Sequence, residues 1–190
     1  MLDRAGFDLW AGGYDKSVGL SEEENSYPFA GYRAVLDLGL GTGVLAARLY
    51  GDGCRIWGVD FSENMLSAAR AKMPEARLLC RDFSRGLPPE WEDERFDYVV
   101  CTYALHHLTD REKPALLRDA LRHLAPGGSV LVGDVAFESR AELERCRADW
   151  RELWDEEECY PVAETLRQEF PNLRFEPQSF CAGVFILEKK

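Results

Sequence analysis

The chain has no cluster of basic residues, no long apolar run and no paired-cysteine motif, and each absence narrows what it can be. Lys and Arg number 23 against 34 Asp and Glu, a net charge of −11 at neutral pH. Neutralising a phosphate backbone requires basic residues gathered together, so neither a nucleic acid nor an anionic membrane is expected as a partner. No apolar stretch approaches the ~18 residues of a membrane span, and no basic start precedes an apolar core of the secretory kind. A cytoplasmic location is expected on that basis. The six cysteines, at 54, 80, 101, 146, 159 and 181, form no C-x-x-C pair and have no histidine at zinc spacing. Free buried thiols and no bound metal are therefore expected. With no internal repeat and no flexible linker, the 190 residues read as a single domain with a real core. The acidic runs Glu22-Glu23-Glu24 and Asp155-Glu156-Glu157-Glu158 read as solvated surface.

What is present is a globular composition, 46% hydrophobic and 30% charged, organised around the stretch from Ala34 to Asp60. Val35, Leu36 and Leu38 form the short apolar run of a doubly covered parallel strand, which stops at Gly39-Leu40-Gly41-Thr42-Gly43. A helix carrying Ala46, Ala47, Leu49 and Tyr50 follows, Gly51-Asp52-Gly53 breaks it, and Ile56, Trp57 and Val59 make a second strand ending in Asp60. This is a βαβ unit. Glycines let a ligand approach the backbone closely, amides at the helix start face it, and a carboxylate ending the next strand suits a pair of ribose hydroxyls. Asp60 lies 21 residues after Gly39, close to the ~20 expected of a nucleotide-binding unit. A dinucleotide fingerprint counted from Gly39 needs Gly or Ala at position 44, where the chain has Val44; hydride chemistry is disfavoured accordingly.

Further along, Ser62 is placed to cap a helix through Ala71, with Met65 and Leu66 inward, and Ala76 to Cys80 reads as a third strand running into Arg81-Asp82-Phe83. Phe96 to Tyr103 reads as the central strand. In a doubly wound sheet the ligand crevice lies off the carboxyl ends of the strands, so Ala104-Leu105-His106-His107-Leu108 is expected at the reactive end. Thr109-Asp110-Arg111-Glu112 fits a capping box for a helix to about Leu124; Ala125-Pro126-Gly127-Gly128 reads as a turn into a fifth strand, Ser129 to Val135. Ser139 to Trp154 and Val162 to Phe170 read as amphipathic helices. Arg174 to Phe180 and Ala182 to Glu188 lie too close for a crossover and form an antiparallel hairpin.

Asp37-Leu38-Gly39-Leu40-Gly41-Thr42-Gly43 resembles the D/E-x-G-x-G-x-G motif of class I S-adenosylmethionine-dependent methyltransferases, and Gly58-Val59-Asp60-Phe61-Ser62-Glu63-Asn64-Met65-Leu66 resembles that family's second signature. The L-x-P-G-G turn is a further hallmark. The segment Thr102-Tyr103-Ala104-Leu105-His106-His107-Leu108-Thr109-Asp110 is most similar to the small bacterial YrrT-type methyltransferases. The resemblance implies an α/β, doubly wound, Rossmann-like seven-stranded sheet, mostly parallel with the last strand antiparallel. It divides the domain into a lid or cap segment (1–33), a cofactor-binding core (34–136), a helical insertion (137–172) and a C-terminal β-hairpin (173–190).

S-adenosyl-L-methionine is the implied cofactor. Gly39, Leu40, Gly41 and Gly43 would hold its methionine end, Asp37 would order the turn or the amino group, and Asp60 would grip the ribose. Phe61, Met65 and Thr102 would line the site, with Asp82 and Phe83 at the adenine. Trp10 and Tyr14, in Trp10-Ala11-Gly12-Gly13-Tyr14-Asp15, form either part of a lid or a packing helix. Methyl transfer is in-line displacement at an already activated carbon, so alignment and exclusion of water matter most. A general base helps with some acceptors, and His106 and His107 are the candidates, at most one of them pointing into the pocket. Either can instead shape the acceptor site. The acceptor is expected to be a small molecule and the protein a monomer or homodimer. A non-catalytic cofactor-binding regulator is the second reading, and a dinucleotide-dependent oxidoreductase the third.

Overall fold

The computed structural model describes residues 34–189, so Trp10 and Tyr14 lie outside the described residues. Contacts divide the described chain into two units, one ending at Phe83 and one beginning at Ser84.

The first unit is built on β1 (Ala34–Leu38), whose five residues are all buried. That is why its sequence is a continuous apolar run rather than an alternating one, with Asp37 as the one charged intruder. After the glycines, α1 (Val44–Gly51) buries Leu45, Ala46 and Leu49. Next come β2 (Arg55–Asp60), α2 (Glu63–Lys72) and β3 (Arg77–Cys80). The Ser62 hydroxyl accepts the Met65 N–H at 3.2 Å, the cap expected for α2. β1 pairs parallel with β2 from Ala34↔Arg55 to Leu38↔Val59, and β2 pairs parallel with β3, giving the order β3-β2-β1.

The second unit contains β4 (Phe96–Thr102), α3 (Glu112–Arg122), β5 (Leu124–Val135), α4 (Arg140–Asp149), α5 (Ala163–Leu166), β6 (Arg174–Pro177) and β7 (Ala182–Glu188). β4 pairs parallel with β5, while β7 runs antiparallel to both β5 and β6, giving β4-β5-β7-β6. The seven strands are those of a Rossmann-like α/β sheet, mostly parallel with the last strand reversed, as expected. Among the described residues no helix is long and apolar enough to cross a membrane.

Four local readings change. The stretch Ala125-Pro126-Gly127-Gly128 lies within β5 as a bulge: Phe96 pairs with Leu124 but Tyr98 pairs with Ser129, and Gly127 has φ 78°. A Cβ on Gly128 would stand 2.9 Å from the Asp97 carbonyl oxygen, so the chain passes too close to β4 for any side chain there. α4 ends at Asp149 rather than Trp154, since its apolar row runs out of core: Trp150 is 47% exposed and Leu153 79%. Val162 to Phe170 keeps only the single regular turn of α5. The cysteines are free, as expected, but only Cys54 and Cys101 are buried; Cys80 is exposed because β3 is itself only partly covered.

Candidate functional site

The turn after β1 reverses the chain through three left-handed glycines, Gly39 at φ 74°, Gly41 at φ 57° and Gly43 at φ 75°. Residues with side chains are strained in that region, which fixes why glycine stands at each alternate position. Two amides of the turn, Gly39 and Leu40, donate to the Val59 carbonyl at 2.9 and 3.0 Å. The Gly43 amide donates to the Leu40 carbonyl at 2.9 Å. The glycine amides expected to face a ligand are thus largely spent in fastening the turn to β2. What the turn presents is bare backbone at its three glycines, with the Thr42 hydroxyl accepting from Lys72 Nζ at 3.5 Å, followed by the start of α1, which has no side-chain cap. Leu40 tucks its side chain against β2, where a Cβ on Gly58 would meet Leu40 Cδ1 at 2.7 Å.

Asp60, at the end of β2, is 5% exposed and turned inward. One carboxylate oxygen accepts the Gly41 N–H and the other the Ser62 N–H, both at 2.8 Å. Both are charge-assisted bonds, so this acid ties the glycine turn to the start of α2. Asp37 is 2% exposed, and its Oδ1 is buried with no hydrogen-bond partner among the described residues. Burial first, and the negative charge of Asp60 second, push its carboxyl up to about 7. Two buried acids thus stand beside the glycine turn, which the Lys72 ammonium also reaches at the Thr42 hydroxyl.

The other expected residues of this unit are divided by the structure. Phe61 is half-buried and directly follows Asp60, and its carbonyl accepts from Cys80 Sγ at 3.5 Å. Met65 is 1% exposed and belongs to the core face of α2. Asp82 is exposed and Phe83 is 5% exposed, just after β3, where the Arg81 amide donates to the Asp60 carbonyl at 2.8 Å.

In the second unit, the end of β4 carries Thr102, half-buried opposite Gly133 of β5, and then Tyr103. Tyr103 has φ 50°, a left-handed conformation that is strained for a bulky residue, and its side chain is 44% exposed. Burial, Asp134 and Cys181 together raise its phenol. Nothing in the sequence marked Tyr103 as special.

A short 3₁₀ turn, Leu105–His107, then presents both histidines. Asp134, 2% exposed near the end of β5, accepts the His106 backbone N–H at 3.1 Å and lies 2.6 Å from Nδ1 of its ring. Burial pulls the His106 imidazole down, but the hydrogen bond and charge of Asp134, with Glu158 adding and Lys113 opposing, carry the net shift upward. Both rings converge on a single carboxylate: Glu158 Oε2 lies 3.7 Å from His106 Nε2 and 3.1 Å from His107 Nδ1. The acidic run read as solvated surface is exposed at Asp155, Glu156 and Glu157 but turns inward at Glu158. The cause is a backbone tether, the Cys159 amide donating to the His106 carbonyl at 2.9 Å. Asp134 and Glu158 are the groups that sequence reasoning missed.

Residues 35–128 match the family model described as a methyltransferase domain. The chain is 34% identical to an uncharacterized methyltransferase of Geobacillus kaustophilus, over 95% of this chain and 92% of that one. A relative from Oceanobacillus iheyensis is 30% identical over 89% of this chain and 87% of its own. Among solved structures, the DhpI-SAM-HEP complex superposes with a TM-score of 0.72 at 19% identity, covering 96% and 94% of the two chains. The magnesium protoporphyrin IX methyltransferase of Synechocystis with bound SAH gives 0.65 at 15% identity, covering 100% and 89%. The chain belongs to the methyltransferase family, and its fold is that of the S-adenosylmethionine-dependent members.

Proposed function

We propose that the protein is a cytoplasmic enzyme that transfers a methyl group from S-adenosylmethionine to a small-molecule acceptor. The observation that carries this is the pair of buried acids, Asp37 and Asp60, against a turn of three glycines. Asp37 is raised to about 7 and its Oδ1 has no partner among the described residues, which suits a ligand bringing a cationic hydrogen-bond donor. S-adenosylmethionine, with its ammonium and sulfonium, fits that description. Gly39, Gly41 and Gly43 give close backbone approach to its methionine end, Asp37 receives the amino group, and Asp60 serves the ribose while holding the turn closed. Phe61, Asp82 and Phe83 serve the adenine side, and Leu40 and Met65 support the cradle from its packed face. The cofactor, when bound, supplies an electrophilic methyl carbon with a good leaving group.

The protein's part is then to align the acceptor and to deal with its proton. The residues past the carboxyl end of β4 serve the acceptor: Thr102, the strained Tyr103, and the two histidines. Because Asp134 takes Nδ1 of His106, Nε2 is the nitrogen left to act on the acceptor, as a base or as a ligand-binding atom. Residues 1–33 are assigned as the cap, 137–172 as the helical insertion and 173–190 as the closing hairpin of this one domain.

The test is calorimetric titration of the purified protein with S-adenosylmethionine and, separately, with NAD, followed by a screen of metabolites for a mass gain of one methyl group. Binding of the first with a one-methyl mass gain in a metabolite supports the enzyme. Persistent binding without transfer supports a cofactor-sensing regulator, and heat from NAD alone overturns the reading.

A further inference from the structure

We infer that His106, His107 and Glu158 form a binding site for a divalent d-block cation, with Asp134 as its outer carboxylate. The three donor atoms, His106 Nε2, His107 Nδ1 and Glu158 Oε2, all lie within 4.8 Å of one another. Glu158 Oε2 stands 3.1 and 3.7 Å from the two ring nitrogens. Bonds of about 2.0–2.2 Å around a tetrahedral ion set ligand atoms roughly 3.3 Å apart, so the His107 separation is close to one edge of such a polyhedron and the His106 separation somewhat longer than one.

Three independent features argue for a built site rather than a chance cluster. Glu158 Oε2 is buried and makes no hydrogen bond among the described residues, although it lies close to both rings. The carboxylate therefore faces the nitrogens as a ligand does, without the alignment of an ordinary hydrogen-bonded pair. His106 is gripped at Nδ1 by Asp134 at 2.6 Å, the carboxylate–histidine arrangement that fixes which nitrogen is left for a metal and raises its basicity. Glu158 is also held in place by the backbone bond from Cys159 to the His106 carbonyl, so the third ligand is positioned by the same turn as the first two. The charges close as well. Glu158 and Asp134 balance a dication, while the nearby Lys113 ammonium is matched by Asp110 at 3.1 Å and by the Leu108 carbonyl at 2.6 Å.

Two imidazoles and one carboxylate select zinc and its d-block neighbours over magnesium or calcium, which prefer all-oxygen shells. Three protein ligands leave a fourth position open for water or for a heteroatom of a bound molecule. The cation's chemical use rests on the proposed methyl transfer: with Nε2 committed to the metal, activation of an acceptor thiol or hydroxyl passes from imidazole to ion. The site's existence does not rest on that reading, because it is measured without cofactor or acceptor.

The experiment is titration of the chelator-treated full chain with Zn²⁺ by calorimetry and with Co²⁺ by visible absorption. We expect one equivalent, with a Co²⁺ spectrum of nitrogen and oxygen ligation and no thiolate charge-transfer band. Glu158→Gln and His107→Gln should each weaken binding by at least about 100-fold. Asp134→Asn should weaken it by about 10–100-fold, as outer carboxylates do. Cys159→Ser should leave it unchanged. A thiolate band, the same affinity in Glu158→Gln as in the native chain, or no binding at all would overturn the assignment; the last leaves a plain imidazole–carboxylate cluster. Any of these failures leaves the calorimetric test with S-adenosylmethionine untouched.

Discussion

The two units handle buried acid in opposite ways. In the first, Asp37 and Asp60 are like charges in one buried neighbourhood, and burial first and Asp60 second push the Asp37 carboxyl up to about 7. In the second, Asp134 is answered from within by the His106 imidazole, while Glu158 faces both imidazoles of the same short turn without a hydrogen bond at its buried Oε2. On the proposed reading the first unit receives a cationic ligand, and the second places two imidazoles and two carboxylates together. Buried carboxylates with a built-in partner contribute to a fold, whereas those without one cost stability until something binds.

That contrast is open to direct attack. The largest expected effect comes from Asp60→Ala, which removes two charge-assisted bonds to backbone amides, each worth about 1.5–3 kcal/mol. It should lower stability in a denaturant titration and remove measurable cofactor binding; unchanged affinity would separate Asp60 from the site. Asp37→Asn works in the other direction. The folded-state pKa of Asp37 lies above its unfolded value of 3.8, so folding takes up a proton, and the native chain loses stability as pH rises from about 4 to about 7. The loss approaches about 4 kcal/mol above that range. The variant should lack this slope in thermal melts recorded from pH 4 to pH 8. Gly43→Ala imposes φ +75° on a residue with a Cβ that would also lie 2.7 Å from Met73 Cε. Because Met73 offers the end of a flexible chain, the backbone term dominates, and a loss of about 1–2 kcal/mol is expected. The smallest effect should be Tyr103→Gly. Relief of its φ of 50° offsets the entropy glycine adds to the unfolded chain, so stability changes by less than about 1 kcal/mol while methyl transfer falls.

The sequence made the first unit legible because its chemistry is local. Gly39, Gly41, Gly43 and Asp60 lie within one βαβ unit, where strand and helix periodicity fix their relative positions. The Ser62 cap was readable for the same reason, as was the Thr109–Glu112 box, in which Glu112 accepts the Thr109 N–H at 2.8 Å. The histidine cluster was readable only in its histidines. Asp134 is 28 residues from His106 and reaches it only through strand pairing. Glu158 sits in a run of acids where charge patterning favours solvent, and only the tether from Cys159 turns it inward. Tyr103 shows the limit most plainly, since a left-handed tyrosine leaves no mark in composition or spacing. The bulge at Gly127 and Gly128 was misread as a turn because the same glycines serve either, and only the register against β4 distinguishes them.

The central claim, that the buried pair Asp37 and Asp60 receives S-adenosylmethionine, is tested most directly by calorimetric titration near pH 7 in two buffers of different ionisation heat. The native chain should bind one equivalent and release a proton as Asp37 ionises against the ligand, and Asp37→Asn should lose that release. Absence of S-adenosylmethionine binding, or binding with the same proton release in the variant as in the native chain, would contradict it.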